Sequence, residues 1–239
     1  MNNFVIKVSN LVKFFDERQI IKNISFSISE NSIVGILGKN GAGKTTLLGM
    51  LMGLISPSSG NIEILGKDLH LNKNEILKNI NFQSPYVDLP KKMTVEQNLY
   101  FYSRLYGIDN MKDIINDLVV ELKMSDLMKK SYGSLSAGQK TKVNLCKALI
   151  NKPKLLLLDE PTASLDPETS IFIREFLLNY QKKNSSSILI TSHNLEEIQR
   201  ICSKIILLKG GIIASDGKLK DLLKYNNYSS LQEFFLGQG

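Results

Sequence analysis

The stretch "GKNGAGKTT" at residues 38–46 constrains the fold more than any other part of the chain. It follows the apolar run "SIVGILG" at residues 32–38 and precedes an apolar helical pattern, which places it between a buried strand and a helix. It matches G-x-x-x-x-G-K-[ST], a pattern whose glycines let backbone N–H groups point at phosphate oxygens. We therefore expect a phosphate-binding loop within an α/β core.

Two side chains of this loop have specific tasks in such a site. Lys44 would reach the β- and γ-phosphates of a nucleotide, and Thr45 would ligate Mg²⁺. A glycine-rich turn without a ligand is the alternative, and it leaves the Lys and the Thr unexplained. The predicted nucleotide-binding residues of the loop are Gly38, Lys39, Asn40, Gly41, Ala42, Gly43, Lys44, Thr45 and Thr46.

Two other apolar runs, "KLLLLDEP" at 154–161 and "SSSILITSH" at 185–193, are typical of parallel strands covered on both faces. Asp159 comes at the end of the first run, where carboxylates of parallel sheets face the ligand crevice. We expect it either to ligate Mg²⁺ directly or to orient a group that does. Glu160 beside it could polarise a water for attack on the γ-phosphorus. A solvated strand end is the alternative for both.

Two polar residues close other predicted strands. Gln83 ends "NINFQ" and could touch the metal or the water, and His193 ends "ILITSH" in the same manner. A lone Gln or His at a strand end is more often structural, so both interpretations stay open at this point. Phe15 likewise either stacks on a base or packs in the core.

The stretch "SLSAGQ" at 134–139 contains the Ser-x-x-Gln spacing of a helix capping box, from Ser136 to Gln139. Gly138 lies in the first helical turn, where Gly is less favourable than Ala by about 1 kcal/mol. A glycine at this position therefore suggests that another group approaches the backbone closely. A helix start attracts anions, but this one has no Lys of its own. The stretch is therefore either a plain helix start or part of a phosphate site.

Patterning along the chain indicates one domain, residues 1–239, with three parts. Alternating residues at 24–28 and the run "NIEIL" at 61–65 predict antiparallel strands, and "IILLKGGIIASDG" at 205–217 predicts a hairpin. Helical patterns fill about 90–150. We expect a core from about 1–89 and 151–217, a helical part at about 90–150, and a helical tail at about 218–239.

Composition narrows the function classes. Thirty Lys plus Arg against 23 Asp plus Glu give a net charge of +7, which suits contact with phosphates, anionic lipid or nucleic acid. The longest apolar runs fall far short of the roughly 20 residues needed to span a bilayer. The first residues do not resemble a signal peptide, and the two cysteines lack metal-type spacing, so a reducing cytoplasm is expected.

Taken together, these motifs resemble the ATP-binding cassette (ABC) ATPase family from about residue 4 to 217. "GKNGAGKTT" is similar to its phosphate loop, Gln83 to its Q-loop, "LSAGQ" at 135–139 to its signature and "LLLLDEP" to its magnesium strand. "SLD" at 164–166 is similar to its D-loop and His193 to its switch histidine. The resemblance implies an α/β P-loop NTPase core with a mostly parallel sheet, an antiparallel β subdomain and an inserted α-helical subdomain.

The resemblance also implies roles for single residues. Glu160, His193 and Gln83 would be catalytic, while Thr45, Gln83 and Asp159 would hold Mg²⁺, with ATP as the nucleotide. Phe15 matches the position of an adenine-stacking aromatic. The residues that would contact ATP held by a second subunit are Ser136, Gly138, Gln139 and Asp166.

The expected function is that of the ATP-binding and ATP-hydrolysing subunit of an ABC transporter, dimerising around two ATP. Its expected partners are a separate transmembrane permease subunit and a second nucleotide-binding subunit. We expect the dimer to consist of two copies of this chain, on the cytoplasmic face of the membrane. Similarity of "MTVEQNLYFYSRLYG" and "SLQEFFLG" to exporter-type cassettes favours export. The alternative is a soluble ATPase of this family acting on DNA or ribosomes, but the long coiled-coil insertion or second cassette of such proteins is missing, so no nucleic acid is expected. A GTPase or small-molecule kinase would have no use for "LSAGQ".

Overall fold

The strands of the protein form two separate sheets. The computed structural model describes residues 3–163, 165–225 and 228–237. The strands within these residues are β1 (Phe4–Phe15), β2 (Arg18–Ser29), β3 (Ile33–Leu37), β4 (Ser59–Ile64), β5 (Lys67–Asp68), β6 (Ile80–Gln83), β7 (Leu155–Asp159), β8 (Ser187–Thr191), β9 (Lys204–Lys209) and β10 (Ile212–Lys218).

The helices alternate with strands in the core and follow one another in the middle of the chain. Those in the described residues are α1 (Lys44–Leu51), α2 (Lys73–Leu77), α3 (Val95–Leu105), α4 (Met111–Glu121), α5 (Ala137–Leu149), α6 (Pro167–Asn184), α7 (Leu195–Ile201), α8 (Leu219–Tyr225) and α9 (Leu231–Gly237). Two short 3₁₀ turns, Ser125–Leu127 and Tyr132–Ser134, connect α4 to α5.

The larger sheet has six strands in the order β10-β9-β3-β8-β7-β6. All neighbours are parallel except β10, which pairs antiparallel with β9 as the hairpin pattern predicts. Strands β3, β7 and β8 are buried along their whole length, which explains why their sequences are almost continuously apolar. The mostly parallel sheet predicted from the sequence is therefore confirmed.

The smaller sheet is antiparallel, in the order β2-β1-β4-β5. Its end at β2 approaches the hairpin of the larger sheet, where the Lys22 N–H donates to the Gly211 carbonyl at 2.8 Å. Gly211 has φ of 86°, and a Cβ there would lie 2.3 Å from the Ile20 carbonyl oxygen. Only glycine therefore allows this contact. The antiparallel subdomain expected from the alternating patterns is confirmed.

Two hydrophobic cores lie on opposite faces of the larger sheet. One packs α1 between that sheet and the smaller sheet, and the other packs the remaining face against the helices. Adjacent residues of a strand belong to different cores: Leu157 faces α1, and Leu158 faces the helical side. Helix α1 and the loop that precedes it are thus held between two sheets.

The helical part, α3 to α5, forms the predicted α-helical insertion between β6 and β7. Ser136 begins α5 with a complete capping box, as the sequence predicts, and Thr94 begins α3 in the same way. The numerical domain boundaries given above remain a prediction. None of the described helices is both long and apolar enough for a membrane span.

Candidate functional site

The carboxyl ends of β3, β6, β7 and β8 meet at one edge of the larger sheet. Because these strands are neighbours and parallel, the edge brings together the residues that follow each of them. A cavity of about 420 Å³ opens there. Its walls are Arg18, Ile20, Asn40, Gly41, Ala42, Gly43, Lys44, Thr45, Thr46, Tyr86, Asp159 and Glu160.

The loop 38–46 has the backbone geometry that its glycines predict. Gly41 and Gly43 have φ of 80° and 106°, values that disfavour residues with a Cβ. A Cβ on Gly38 would lie 2.5 Å from the Leu208 carbonyl oxygen. Gly43 is the N-cap of α1 and provides no side-chain acceptor, so the helix start can direct its N–H groups at an anion.

Lys44 is buried beneath this loop, with Nζ donating to the Gly38 carbonyl at 2.6 Å. Burial lowers the pKa of its ammonium, while the nearby carboxylates of Glu160 and Asp159 act in the opposite direction. A cation sits at the floor of the cavity beside two carboxylates, which suits a ligand that carries both phosphates and a metal ion.

The donor set for a metal ion is made of oxygens. Asp159 is buried, and its Oδ1 accepts a hydrogen bond from the Thr191 hydroxyl at 2.6 Å. Gln83 Oε1 is buried and has no hydrogen-bond partner among the described residues. Together with the Thr45 hydroxyl, these side chains fit Mg²⁺, which prefers carboxylate, amide and hydroxyl oxygens.

Glu160 and His193 contact each other directly. Glu160 Oε2 lies 2.7 Å from His193 Nδ1 and also accepts from the His193 N–H at 3.3 Å. The Glu160 side chain is 12% exposed and that of His193 66%. Glu160 has φ of 49°, a left-handed conformation unusual for Glu, and its N–H donates to the Thr191 carbonyl at 3.0 Å. The turn thus fixes the carboxylate at the cavity wall.

Thr191 is a site residue that the sequence reasoning missed. Its hydroxyl donates to Asp159 and accepts from the Glu160 N–H at 3.3 Å, so it touches both neighbouring carboxylate residues. The signal was available, because Thr191 ends an apolar strand directly before Ser192 and His193. Arg18, Ile20 and Tyr86 line the cavity and were also missed.

The signature stretch is not part of this cavity within one chain. Ser136 Oγ accepts from the Gln139 N–H at 3.3 Å, and Gln139 Oε1 accepts from the Ser136 N–H at 3.1 Å. A Cβ on Gly138 would lie 3.2 Å from Cγ2 of Thr169, so close packing against α6 is a further reason for glycine. Asp166 caps α6 by accepting from the Thr169 N–H at 2.8 Å.

Phe15 is 45% exposed, so the core-packing interpretation is wrong. Its ring centroid lies 4.8 Å from Lys13 Nζ, and the residue pairs in the sheet with Arg18 of the cavity wall. An exposed ring beside the cavity is compatible with base stacking. Ser164, the first residue of the predicted "SLD" motif, lies outside the described residues.

Comparison with protein-family models matches residues 21–163 to the family described as ABC transporter. The chain belongs to the ABC transporter family. It is 34% identical to the ABC transporter ATP-binding protein NatA of Bacillus subtilis (strain 168), over 95% of this chain and 94% of that protein. It is 30% identical to Nod factor export ATP-binding protein I of Rhizobium sp. (strain N33), over 99% of this chain and 78% of that protein.

Solved structures of the family have the same fold. The structure described as the ATP binding subunit of an ABC transporter superposes with a TM-score of 0.90 at 24% identity, covering 98% of this chain and 99% of that one. The structure of cbiO1 from Clostridium perfringens, part of the ABC transporter complex cbiONQ, gives 0.82 at 25% identity, covering 99% and 100%. The family, the fold and the general function as a transporter subunit predicted from the sequence are confirmed.

Proposed function

We propose that this ABC-family chain binds ATP with Mg²⁺ and hydrolyses it to ADP and phosphate, driving a separate membrane subunit. The observation that carries the proposal is that Lys44, Asp159 and Glu160 line one cavity. His193 contacts Glu160, and the unpartnered oxygen of Gln83 lies at the end of the neighbouring strand β6. Such a combination serves phosphoryl transfer, where positioning and charge stabilisation do most of the work.

Binding rests on the loop and on α1. Lys44 neutralises charge on the β- and γ-phosphates, and the N–H groups at the α1 start donate to phosphate oxygens. Thr45, Gln83 and Asp159 would hold Mg²⁺, which when bound neutralises charge that develops on the phosphates. Phe15 would stack on the adenine, with Arg18 next to it on β2.

Hydrolysis rests on Glu160. Its carboxylate accepts a proton from the attacking water as the water oxygen bonds to the γ-phosphorus and the bond to the leaving ADP oxygen breaks. His193 Nδ1 lies 2.7 Å from the same carboxylate. It would orient Glu160 and contact the γ-phosphate. Gln83 would hold the water as well as the metal.

The site of one chain is incomplete, which supports a dimer. Ser136, Gly138 and Gln139 lie at the start of a helix but do not line the cavity that contains Lys44. A second copy facing the first in opposite orientation would place this helix start over the γ-phosphate, with Asp166 near the shared interface. We infer a homodimer around two ATP.

Exposed apolar residues after β6 and on α3 favour a membrane subunit as partner. Tyr86 is 83% exposed and lies three residues beyond Gln83, and Val87, Phe101 and Leu105 are also exposed. Contact with a permease at this surface would place the chain on the cytoplasmic face of the membrane. Export is the favoured direction because relatives include proteins named for Nod factor export. No nucleic acid partner is needed.

Two measurements test this function. Purified protein should release phosphate from ATP only with Mg²⁺, and EDTA should abolish the release. In cells, tagged wild type should sediment with membranes, whereas Val87→Asp with Leu105→Asp should remain in the supernatant. Val120→Asp is the matched control, since Val120 is equally apolar and exposed but lies on α4. Mg²⁺-independent release, or equal sedimentation of all three proteins, would contradict the proposal.

A further inference from the structure

Glu197 is a buried carboxylate, and its burial carries a desolvation cost. It lies in the first turn of α7, four residues after His193, and it is 0% exposed. A Glu at this helix position commonly folds back to the N-cap N–H at the surface. Here Glu197 Oε2 instead accepts a hydrogen bond from the Ser192 hydroxyl at 2.8 Å. The side chain therefore points into the protein, toward the loop that carries His193.

This loop is closed by a short set of hydrogen bonds. The Asn194 N–H donates to Ser192 Oγ at 3.0 Å, and the Glu197 N–H donates to Asn194 Oδ1 at 3.2 Å. Ser192 is itself buried. Glu197 and Ser192 thus fix the backbone on both sides of His193, whose own side chain is largely exposed.

The same carboxyl faces the loop of Glu160. Burial raises the pKa of Glu197, while the hydroxyls of Thr162 and Ser192 and the charge of Arg174 act in the opposite direction. Thr162 is buried and lies two residues after Glu160. Oε1 of Glu197 is buried and has no hydrogen-bond partner within the described part of the chain. The loops that follow β7 and β8 line one cavity, with Glu160, Thr162, Ser192 and His193 in its walls. Glu197 contacts this pair of loops through Ser192.

We propose that Glu197 is a positioning residue that ties the His193 loop to the Glu160 loop and so sets the contact between these two side chains. A leucine would fill the same space without the desolvation penalty of a carboxylate, so packing does not explain a Glu at this position. The contact it would control joins an exposed imidazole to a catalytic carboxylate, where a displacement of about 1 Å can reduce a rate about 100-fold. This inference rests on the proposed function.

Two substitutions separate hydrogen bonding from packing. Glu197→Leu keeps the approximate volume but accepts no hydrogen bond, whereas Glu197→Gln keeps an oxygen that accepts from Ser192. We expect Glu197→Leu to lower kcat about 10- to 100-fold with KM for ATP unchanged, and Glu197→Gln to stay within about threefold of wild type. Glu196→Leu is the matched control, because Glu196 is an exposed neighbour whose partner is Arg200 at the surface.

A second readout does not depend on hydrolysis. The chain has two histidines, His70 and His193, so the ring-nitrogen NMR signals of His193 can be followed with His70 as internal reference. Glu197→Leu should shift the His193 signals and leave those of His70 in place, while Glu196→Leu should shift neither. Unchanged His193 signals in folded Glu197→Leu would overturn the proposal, as would wild-type kcat. An inactive wild type would refute the proposed function instead, and the NMR result would still decide the role of Glu197.

Discussion

His193 Nδ1 lies 2.7 Å from Glu160 Oε2, although the two residues are 33 positions apart in the chain. Two features of the fold create this contact. Strands β7 and β8 are parallel neighbours, and Asp159 pairs with Thr191, so the residues that follow each strand emerge side by side. The left-handed turn at Glu160 then directs the carboxylate toward the next loop. The contact links a carboxylate at the cavity wall to a side chain that is largely exposed.

Replacing Glu160 tests its role as general base. Glu160→Gln keeps the shape and the hydrogen bond to His193 but removes the basicity, so we expect hydrolysis to fall about 10²- to 10⁴-fold. ATP binding should persist, because Lys44 and the loop are unchanged. Phosphate release measures the first effect, and titration with a fluorescent ATP analogue measures the second. Near-normal turnover would remove Glu160 from this role.

Lys44→Ala should reduce nucleotide affinity rather than turnover alone. The β- and γ-phosphates lose the buried cation that lies beneath the loop. Calorimetric titration with ATP should show weaker binding than wild type, whereas Lys129→Ala, which removes an exposed positive charge, should bind normally. Equal affinities for all three proteins would place Lys44 outside the binding site.

Thr191→Val should weaken the response to Mg²⁺. The substitution keeps the volume but removes the hydroxyl that donates to Asp159 Oδ1 at 2.6 Å. Loss of a group that orients a metal ligand typically reduces metal affinity about 10- to 100-fold. The Mg²⁺ concentration for half-maximal hydrolysis should rise by such a factor in Thr191→Val and return toward wild type in Thr191→Ser. A normal Mg²⁺ curve for Thr191→Val would contradict the proposed orientation of Asp159.

Local sequence patterns predicted the elements that depend on short-range chemistry. Glycines at positive φ, helix caps and continuously apolar strands leave clear signals, so the sequence predicts the phosphate loop, the capping box at Ser136 and the parallel strands. The arrangement of motifs in a known order supplied the family. Gln83 and His193 were assigned more from this order than from their own surroundings.

Local sequence patterns do not predict contacts between segments that are distant in the chain. The Thr191 hydroxyl contacts Asp159 because β7 and β8 pair in a register that places Thr191 opposite Asp159. Local sequence patterns do not predict this register. In the sequence, Glu197 lies three residues after Asn194, a spacing that predicts an exposed capping residue. Its burial follows from the packing of α7 against the sheet. For Phe15 the residues alone leave base stacking and core packing open, since the exposure of an aromatic side chain depends on which neighbours its strand receives.

Cys146 and Cys202 should be inert in the folded protein. Both thiols are buried, and burial raises the pKa of each well above its ordinary value, so little reactive thiolate is present near neutral pH. Iodoacetamide should leave native protein unlabelled and should modify both cysteines in urea, as measured by intact mass. Rapid labelling of the native protein would show that the segments around these thiols open.

The signature stretch allows a comparison between two capping boxes of the same type. Thr94 Oγ1 accepts from the Gln97 N–H at 3.1 Å, much as Ser136 Oγ accepts from the Gln139 N–H. Ser136→Ala and Thr94→Ala should therefore each reduce the free energy of unfolding by about 1 kcal/mol. If Ser136 also contacts ATP held by a second copy, only Ser136→Ala should reduce hydrolysis, while ATP binding by the monomer stays close to wild type.

The same pair can be tested for assembly in the Glu160→Gln background, where unhydrolysed ATP would hold two copies together under the proposed function. Sizing chromatography with ATP should show a dimer for Glu160→Gln and for Glu160→Gln with Thr94→Ala. Adding Ser136→Ala instead should shift the protein toward the monomer. If the Ser136→Ala combination dimerises as well as its Thr94→Ala counterpart, and Ser136→Ala alone hydrolyses ATP at the wild-type rate, then "SLSAGQ" serves only as a helix start.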